Sequence, residues 1–590
     1  MRIAVSQFAT AFNFKENLAI CIGMINETAV CNPSLIVLPE FCNTLFCPVQ
    51  PSYIDHNQAW DEALPVNGRF MQGIAEQSKK HHCYIVLNVT LRRDRVREHE
   101  DGSIKSNISV TTCIFSPQGE LIHQVDKSTL NEHEKLFFIS NSTDTNLVTT
   151  SFGKIGLLAG CENVTFTASR VLALEGAQLL CNSSSSFTLE QSTFHGPTRA
   201  FENNVFLATA NKVGPLTPQV LTPQAMVQQT FPHDVLVGVG QSHIVSPEGN
   251  VLAKITNNEQ GFVFADLDLA EVGRTAKNIR PDGTELTKQR RPELYREPVL
   301  NFIKAAQLAQ DVEINTKVPE TANVAIFATY KTNEQAIDDV CHYIENNLSD
   351  IIQLPELFFI ADKSITHDKE QVADIERLGN QLIKQVSAQL RPFQYACTSL
   401  IIEGVHQAVL ISQHGLYAMQ QQLHFCQRYR WTTLGDELSI IELPLEQGVI
   451  NVAMLTADDA NIPEIVSIAA SHNVHLLLVP FDIQAPCEVE YALLSRVTEN
   501  RVCLVAASRE KSFSQYVPIN NGNDNVYSKN KQKSQKSTGL IVDLTTDLDL
   551  SLPSNVDKFK GYVNQPIVKY QFGKITKAVI HPLATCTTLG

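Results

Sequence analysis

Apolar and polar positions along the first 190 residues switch between two periods. Residues 2 to 8 alternate like a strand, and Asn13 to Asn26 then places Phe14, Leu18, Ile22 and Ile25 at helical spacing. Ser34 to Leu38 predicts a buried strand that stops at Pro39-Glu40. Met71 to Lys80 predicts a helix, and Tyr84 to Thr90 another strand. Ile108 to Phe115 and Leu121 to Val125 flank the turn Ser116-Pro117-Gln118-Gly119, the signature of a hairpin. Further on, the apolar run Ile155 to Ala159 meets a sharp turn at Gly160-Cys161. A helix is expected from about Phe166 to Leu174, ended by Gly176, and a short strand over Gln178 to Cys181. Strand and helix alternating in this way predict a layered α/β fold.

The pattern then repeats. Val324 to Leu357 tracks Ile3 to Phe41: strand, helix, strand, then Leu-Pro-Glu. Asn451 to Pro480 tracks the turn at Gly160-Cys161 with its helix and strand, and Arg199-Ala200-Phe201-Glu202-Asn203 returns as Arg496-Val497-Thr498-Glu499-Asn500. The expectation is one domain of roughly 270 residues present twice: residues 1–295, a polar linker over 296–320, and a second copy over 321–590. The lysine- and asparagine-rich stretch Asn520 to Ser537 is expected to be a solvated surface loop.

Composition narrows the class. A chain of 590 residues exceeds what one hydrophobic core supports, in agreement with two domains. Hydrophobic and charged shares of 43% and 18% are those of a globular protein, and a net charge of −15 argues against a nucleic-acid partner. No run approaches the ~18 apolar residues of a membrane span. The opening MRIAVSQFAT has neither the apolar core nor the small-residue cleavage site of an export signal. The 14 cysteines fall in neither CxxC pairs nor zinc-ligand spacing, so no metal is expected, and the expected home is a reducing cytoplasm.

A cysteine at a strand-to-helix turn is lifted out of the sheet near a helix N-terminus, whose partial positive charge favours thiolate. Its commonest alternative is burial as a small hydrophobe. Three other residues gain meaning beside it. Glu40 ends an apolar strand, where a carboxylate is costly without a partner. Lys127 follows the hairpin strand, and Glu134 lies seven residues on. Separately these read as a turn carboxylate and a surface ion pair. Together with Cys161 they supply what amide hydrolysis through a thioester needs: nucleophile, general base, stabilising cation and positioning acid.

These features resemble the nitrilase superfamily, the carbon–nitrogen hydrolases. The resemblance is carried by Leu38-Pro39-Glu40-Phe41, by Gly119 with Lys127 eight residues later, and by Gly156 ahead of the turn. Arg199-Ala200-Phe201-Glu202-Asn203-Asn204 and Arg290-Arg291-Pro292-Glu293-Leu294-Tyr295 complete it. It implies two tandem four-layer αββα sandwich domains, packed as an intramolecular pseudo-dimer, with self-association through the same type of interface a further expectation. It also implies that Glu40 is the general base, Lys127 the stabiliser of the tetrahedral intermediate, Glu134 the orienting glutamate and Cys161 the nucleophile. The implied substrate is a small amide or nitrile, most simply a linear amide, with no cofactor. Acyl transfer uses the same thioester. Counted without gaps from Lys154 to Ala177, the family's cysteine position falls on Gly160, and Cys161 takes its place through a one-residue slip at the turn. Without that slip the chain becomes a non-catalytic binding or regulatory protein.

The second copy has Glu356 in Leu354-Pro355-Glu356-Leu357, only Gln420-Gln421-Gln422-Leu423-His424 near the lysine position, and Ala457 at the cysteine position. It is expected to be a pseudoenzyme. Specificity is expected from loops 43–68 and 216–234, with Phe46, Trp60 and Phe231 as pocket candidates. The Asn182-Ser183-Ser184 stretch is a candidate source of backbone donors near the site.

Overall fold

The computed structural model describes residues 1–11, 13–45, 59–60, 63–93, 107–130, 134–140, 146–187, 191–216, 237–272, 279–296, 298–304, 318–319, 322–326, 333–360, 365, 368–484, 488–500 and 502–508, and the strands at 538–543, 567–572 and 576–580. The expected insertion at 520–537, most of the two specificity loops, and Phe46 and Phe231 lie outside them.

The chain divides into two compact units, with the boundary between residues 278 and 279. In the first, β1 (Arg2–Gln7) leads to α1 (Phe14–Thr28), whose start is capped by the Asn13 side chain accepting from the Glu16 amide at 2.9 Å. Then come β2 (Leu35–Val37), α2 (Arg69–His81), β3 (Tyr84–Arg92), and the hairpin β4 (Ile108–Phe115) and β5 (Leu121–Asp126). The second half runs β6 (Leu147–Thr150), β7 (Gly153–Ala159), α3 (Phe166–Leu174), β8 (Leu179–Ser184), α4 (Gly196–Asn203) and β9 (Phe206–Asn211). Short strands β10 (Val213–Pro215), β11 (Val237–Val239), β12 (His243–Val245), β13 (Val251–Lys254) and β14 (Gly261–Asp266) follow.

Two six-stranded sheets result, ordered β14-β1-β2-β3-β4-β5 and β13-β12-β9-β8-β7-β6. One face of each is apolar, and the two faces meet: Ile3, Val5, Leu35 and Val86 from one sheet pack with Ile155, Leu157, Leu179 and Ala208 from the other. The outer face of the first sheet is covered by α1 and α2 through Cys21, Ile25, Phe70 and Ile74. The outer face of the second is covered by α3 and α4 through Leu172 and Ala200. This is the expected αββα sandwich. The parallel order β1-β2-β3 and β7-β8-β9 brings the C-terminal ends of β2 and β7 together at one end of the two sheets.

The second unit begins with the short helix α5 (Pro292–Arg296) and β15 (Leu300–Ile303), then β16 (Ala322–Ile326), α6 (Glu334–Asn346), β17 (Ile351–Glu356) and α7 (Lys369–Gln389). Strands β18 (Tyr395–Ile402), β19 (Val405–Ser412), β20 (Gly415–Gln421), β21 (Leu438–Leu445) and β22 (Gly448–Met454) lead to α8 (Ala457–Ala460) and α9 (Pro463–Ser471). It closes with β23 (Leu476–Pro480), α10 (Ser495–Asn500), β24 (Cys503–Ser508), β25 (Thr538–Asp543), β26 (Ile567–Phe572) and β27 (Thr576–Ile580). Its sheets, β27-β16-β17-β18-β19-β20 and β26-β25-β24-β23-β22-β21-β15, repeat the first unit's strand order with β15 added at one edge.

That added strand departs from the sequence-based boundaries. Leu300 to Ile303, inside the expected linker, pairs in parallel with β21. Arg290 to Tyr295, expected to close the first domain, packs in the second unit. The Arg291 guanidinium there donates to the carbonyls of Leu423 and Gly435 at 2.9 and 2.7 Å, and Arg290 pairs with Glu464 at 2.6 Å. Arginine donors meeting carbonyls and a carboxylate, rather than an apolar pattern, fix this segment, so its polarity looks like a linker in sequence. Among the described residues no helix is long and apolar enough to cross a membrane.

Candidate active site

Strand β2 is followed by Pro39 and Glu40, and the Glu40 amide donates to the Ser184 carbonyl at 3.1 Å, tying the ends of the two sheets. The carboxylate is 1% exposed. One oxygen accepts from Lys127 Nζ at 3.0 Å, and the other from the Ser185 hydroxyl at 2.6 Å. Lys127 continues from β5, and its amide donates to the Val110 carbonyl on β4 at 2.7 Å, which turns the side chain into the site. Its ammonium also donates to Glu134 at 2.7 Å. Lys127 and Glu134 are 4% and 0% exposed, so this is a buried acid–cation–acid cluster and not a surface pair. Burial pulls the Lys127 pKa down, but Glu134 and Glu40 outweigh it and hold the group well above the usual lysine value. The ammonium is charged throughout the physiological range.

The turn after β7 decides what this cluster faces. Gly160 has φ of +54°, in the left-handed region that glycine enters without strain. A β-carbon added there would lie 2.6 and 2.8 Å from the Glu40 oxygens and 2.8 Å from Lys127 Nζ. The side-chain direction of position 160 therefore points into the cluster. Cys161, one residue on in the 3-10 turn Gly160–Asn163, points elsewhere: its thiol donates to the Thr129 carbonyl at 3.5 Å. Among the described residues it makes no hydrogen bond to Glu40, Lys127 or Glu134. Burial pushes the thiol up to about 12, Lys127 acting in the opposite direction and Glu134 and Glu40 adding to the rise.

Glu162 pins the turn. It accepts from the Ser128 amide at 2.7 Å, the Ser128 hydroxyl at 2.6 Å, the Thr129 amide at 3.3 Å and the Ala159 amide at 2.9 Å. This carboxylate fixes the lysine loop against the elbow, and sequence reasoning missed it as it missed Ser185. The polar run Asn182 to Ser186 was the available signal. Its contribution near Glu40 is a carbonyl and a hydroxyl rather than the backbone donors expected of it. Trp60 sits against the Arg92 guanidinium at 4.3 Å and packs on the apolar cluster that includes Phe41, Ile108 and Phe138.

The second unit pins its elbow in the same way. Asp459 accepts from the amides of Leu423 and His424 at 3.1 and 2.8 Å, as Glu162 does from Ser128 and Thr129. Gln422 therefore stands where Lys127 stands, Tyr429 where Glu134 stands, Ala457 at Gly160 and Asp458 at Cys161. Glu356 keeps the place of Glu40, its amide donating to the Phe481 carbonyl at 3.2 Å, which sets Asp482 at the position of Ser185. The cation here is Arg428, invisible to position counting because it lies six residues beyond Gln422. It pairs with Glu356 at 3.0 Å, Asp458 at 3.0 Å and Asp482 at 2.7 Å. Tyr429 donates to Glu356 at 2.6 Å. Arg280 adds ion pairs to Asp458 and to Glu488, the latter at 2.9 Å. Burial raises Asp458, yet Arg428 and Arg280 bring it down to about 2.

Comparison with known proteins adds the following. The carbon–nitrogen hydrolase family model matches residues 2–277. A probable nitrilase of Schizosaccharomyces pombe is 24% identical over 293 residues, covering 48% of this chain and 92% of that protein. Nitrilase 3 of Arabidopsis thaliana is 27% identical over 264 residues, 42% of this chain and 70% of that protein. The nitrilase of Pyrococcus abyssi is 24% identical over 281 residues, 48% and 93%. Among solved structures, an amidase from Nesterenkonia sp. is similar at 20% identity over 50% of this chain and 95% of that one, with a TM-score of 0.38.

Proposed function

The first half of this chain belongs to the carbon–nitrogen hydrolases of the nitrilase superfamily, and from that premise we propose that its first unit cleaves the carbon–nitrogen bond of a small linear amide through a thioester on Cys161. The observation that carries this reading is the buried Lys127 ammonium held between Glu40 and Glu134 beside the turn that bears the cysteine. A fixed cation at that point is placed to stabilise the oxyanion of a tetrahedral intermediate.

The chemistry is as follows. Cys161 rotates away from the Thr129 carbonyl toward Lys127, and its proton passes to Glu40. The sulfur attacks the amide carbon, and the oxyanion is held by Lys127. Collapse breaks the carbon–nitrogen bond as Glu40 returns its proton to the leaving nitrogen, releasing ammonia or an amine. Glu40 then deprotonates a water that attacks the thioester, giving the carboxylic acid and the free thiol. Glu134 keeps Lys127 protonated and in place. The same reading puts the protein in a reducing compartment, where the thiol stays free.

Release of ammonia from short aliphatic amides tests this. Cys161→Ala and Glu40→Gln are expected to abolish turnover, and Lys127→Met to lower it by about 10²–10³-fold, the usual effect of losing an oxyanion donor. Turnover that survives Cys161→Ala overturns the proposal.

A second reading rests on Gly160, whose missing side chain points at the cluster. On it, the first unit binds a small amide or nitrile without breaking it. Calorimetric binding of an amide with no ammonia released, equal in wild type and Cys161→Ala, is its signature. On either reading the second unit, with Ala457 and Gln422 in the key positions and Arg428 among its carboxylates, runs no thioester chemistry. Its proposed use is structural, as the partner domain of the first within one chain.

A further inference from the structure

A row of polar side chains crosses four neighbouring strands of the first unit. The ladders place Asn182 opposite Thr209, Thr209 opposite His243, and His243 opposite Lys254. Residues directly opposite one another share a sheet face. Their neighbours along the strands, Cys181, Ala208 and Ile244, belong to the core between the sheets. The row therefore faces the other way, among Leu158, Leu180, Leu207 and Val245, which pack against Leu172 of α3 and Ala200 of α4.

That is an apolar environment, and the row does not satisfy itself within it. Asn182, Thr209 and His243 are at most 1% exposed. Both amide atoms of Asn182, the Thr209 hydroxyl oxygen and His243 Nε2 are without partners among the described residues. His243 Nδ1 lies 2.8 Å from the Gln241 carbonyl, which can only accept, so Nδ1 carries the proton and Nε2 is a bare acceptor. Asn163, in the turn that packs on β8, is likewise buried with both amide atoms unpartnered. Each such atom is costly to the fold if nothing meets it.

The second unit shows that the fold does not require these residues. The pairs Glu40–Ser184 and Glu356–Phe481 align Asn182 with Val479, and the ladders then align Thr209 with Ala506. The same row there runs Val479 and Ala506, both apolar and buried, with Leu540 opposite Ala506 at the place of His243. At these places one copy has valine, alanine and leucine, and the other has amide, hydroxyl and imidazole.

We propose that the Asn182–Thr209–His243 row is an internal binding site for ordered water, held between β8, β9 and β12 and the overlying α4. The inventory fits water. A molecule donating to His243 Nε2 can accept from the Thr209 hydroxyl on the next strand, and one donating to the Asn182 carbonyl oxygen can bond the same hydroxyl, which gives each two of the two to four partners buried water needs. A charged ligand is disfavoured, because the three deepest groups are neutral. The outer end of the row is Lys254, whose side chain is partly exposed and whose ammonium donates to Ser192 Oγ at 3.5 Å.

A crystal structure of the full chain, at a resolution that shows waters, is the test. The expected result is density about 2.7–3.2 Å from Asn182, Thr209 Oγ1 and His243 Nε2. Asn182→Val combined with Thr209→Ala, which copies the second unit, is expected to lose amplitude in oxygen-17 water relaxation dispersion. A dry layer in which Asn182 and Thr209 turn to bond each other, or an unchanged dispersion in the folded variant, overturns the proposal. If the variant fails to fold, the wild-type density decides alone. Neither measurement depends on whether the protein hydrolyses amides.

Discussion

Two copies of one sandwich hold two different answers at the same place. In the first, a glutamate, a lysine and a second glutamate surround a glycine, and a serine hydroxyl holds the base. In the second, Glu356 persists, but the acid and the hydroxyl have exchanged positions: Tyr429 stands where Glu134 does, and Asp482 where Ser185 does. Lysine has given way to an arginine from six residues further on. Two guanidiniums now meet four carboxylates, Glu356, Asp458, Asp482 and Glu488. The Gln484 oxygen accepts from both arginines at 3.0 and 3.1 Å, in the amide orientation they require. Arg428 is thereby bonded at every nitrogen. A lysine between two acids keeps donor capacity for an incoming oxyanion, whereas the arginine has spent all of its own on the protein. The difference between the two clusters thus lies in the cation.

The largest effect should come from removing that arginine. Arg428→Ala leaves Glu356, Asp458 and Asp482 buried without their shared cation, and is expected to cost the second unit about 3–5 kcal/mol. Denaturant unfolding followed by hydrogen exchange on peptides of each unit checks this. Equal destabilisation of both units, or a loss below about 1 kcal/mol, breaks the comparison.

Acid should separate the units too. His243 is held neutral by burial, its pKa lowered to about 4, so its contribution is complete above its unfolded value of 6.5 and is lost as the pH falls toward 4. Asp458 has a folded pKa of about 2, so its contribution is complete above 3.8 and is lost only as the pH falls toward 2. The losses are roughly 3 and 2 kcal/mol respectively. Two acid transitions are therefore expected, the first unit loosening first, and His243→Gln should remove the earlier one. A single transition below pH 4 contradicts it.

Smaller effects sharpen the turn itself. Gly160→Ala should cost about 1–2 kcal/mol from its left-handed backbone, and should displace the ends of Glu40 and Lys127. The matching change at Ala457, where no such backbone occurs, should cost nothing comparable when Ala is replaced by Ser. Ser185→Ala removes the hydroxyl from Glu40 and should cost roughly 1–1.5 kcal/mol, with turnover retained.

Much of this was legible before any coordinates. The helix at Phe166–Leu174 and the strand at Ile108–Phe115 fall where apolar spacing put them, because long periodic runs leave little choice of face. Glu40, Lys127 and Glu134 were named from chain order and do meet: Glu40 and Lys127 each follow a strand whose place in the sheet is fixed, and Glu134 lies in the 3-10 turn seven residues beyond Lys127. Cys161 was named with them, and among the described residues it makes no hydrogen bond to them. A single residue at a turn changes the direction of a side chain, and sequence cannot count through a turn whose glycine adopts a left-handed backbone. Arg280 and Arg428 were hidden for another reason. Arg280 lies 178 residues from Asp458, and charges so far apart in sequence are paired by the fold, not by any periodicity. The orphaned amide of Asn182 was equally silent, because an asparagine that opens the polar run Asn182 to Ser186 reads as part of the strand's end until its neighbours in the ladder are known.

The most direct measurement of the central proposal is trapping an acyl group on the first unit. The full chain is incubated with short aliphatic amides, quenched in acid, digested and read by peptide mass. A thioester on the Cys161 peptide, absent from Lys127→Met and from Glu40→Gln, is the predicted result. Amide binding with no adduct on Cys161 under any condition would contradict it, and would make Gly160 the seat of a nucleophile this unit no longer has.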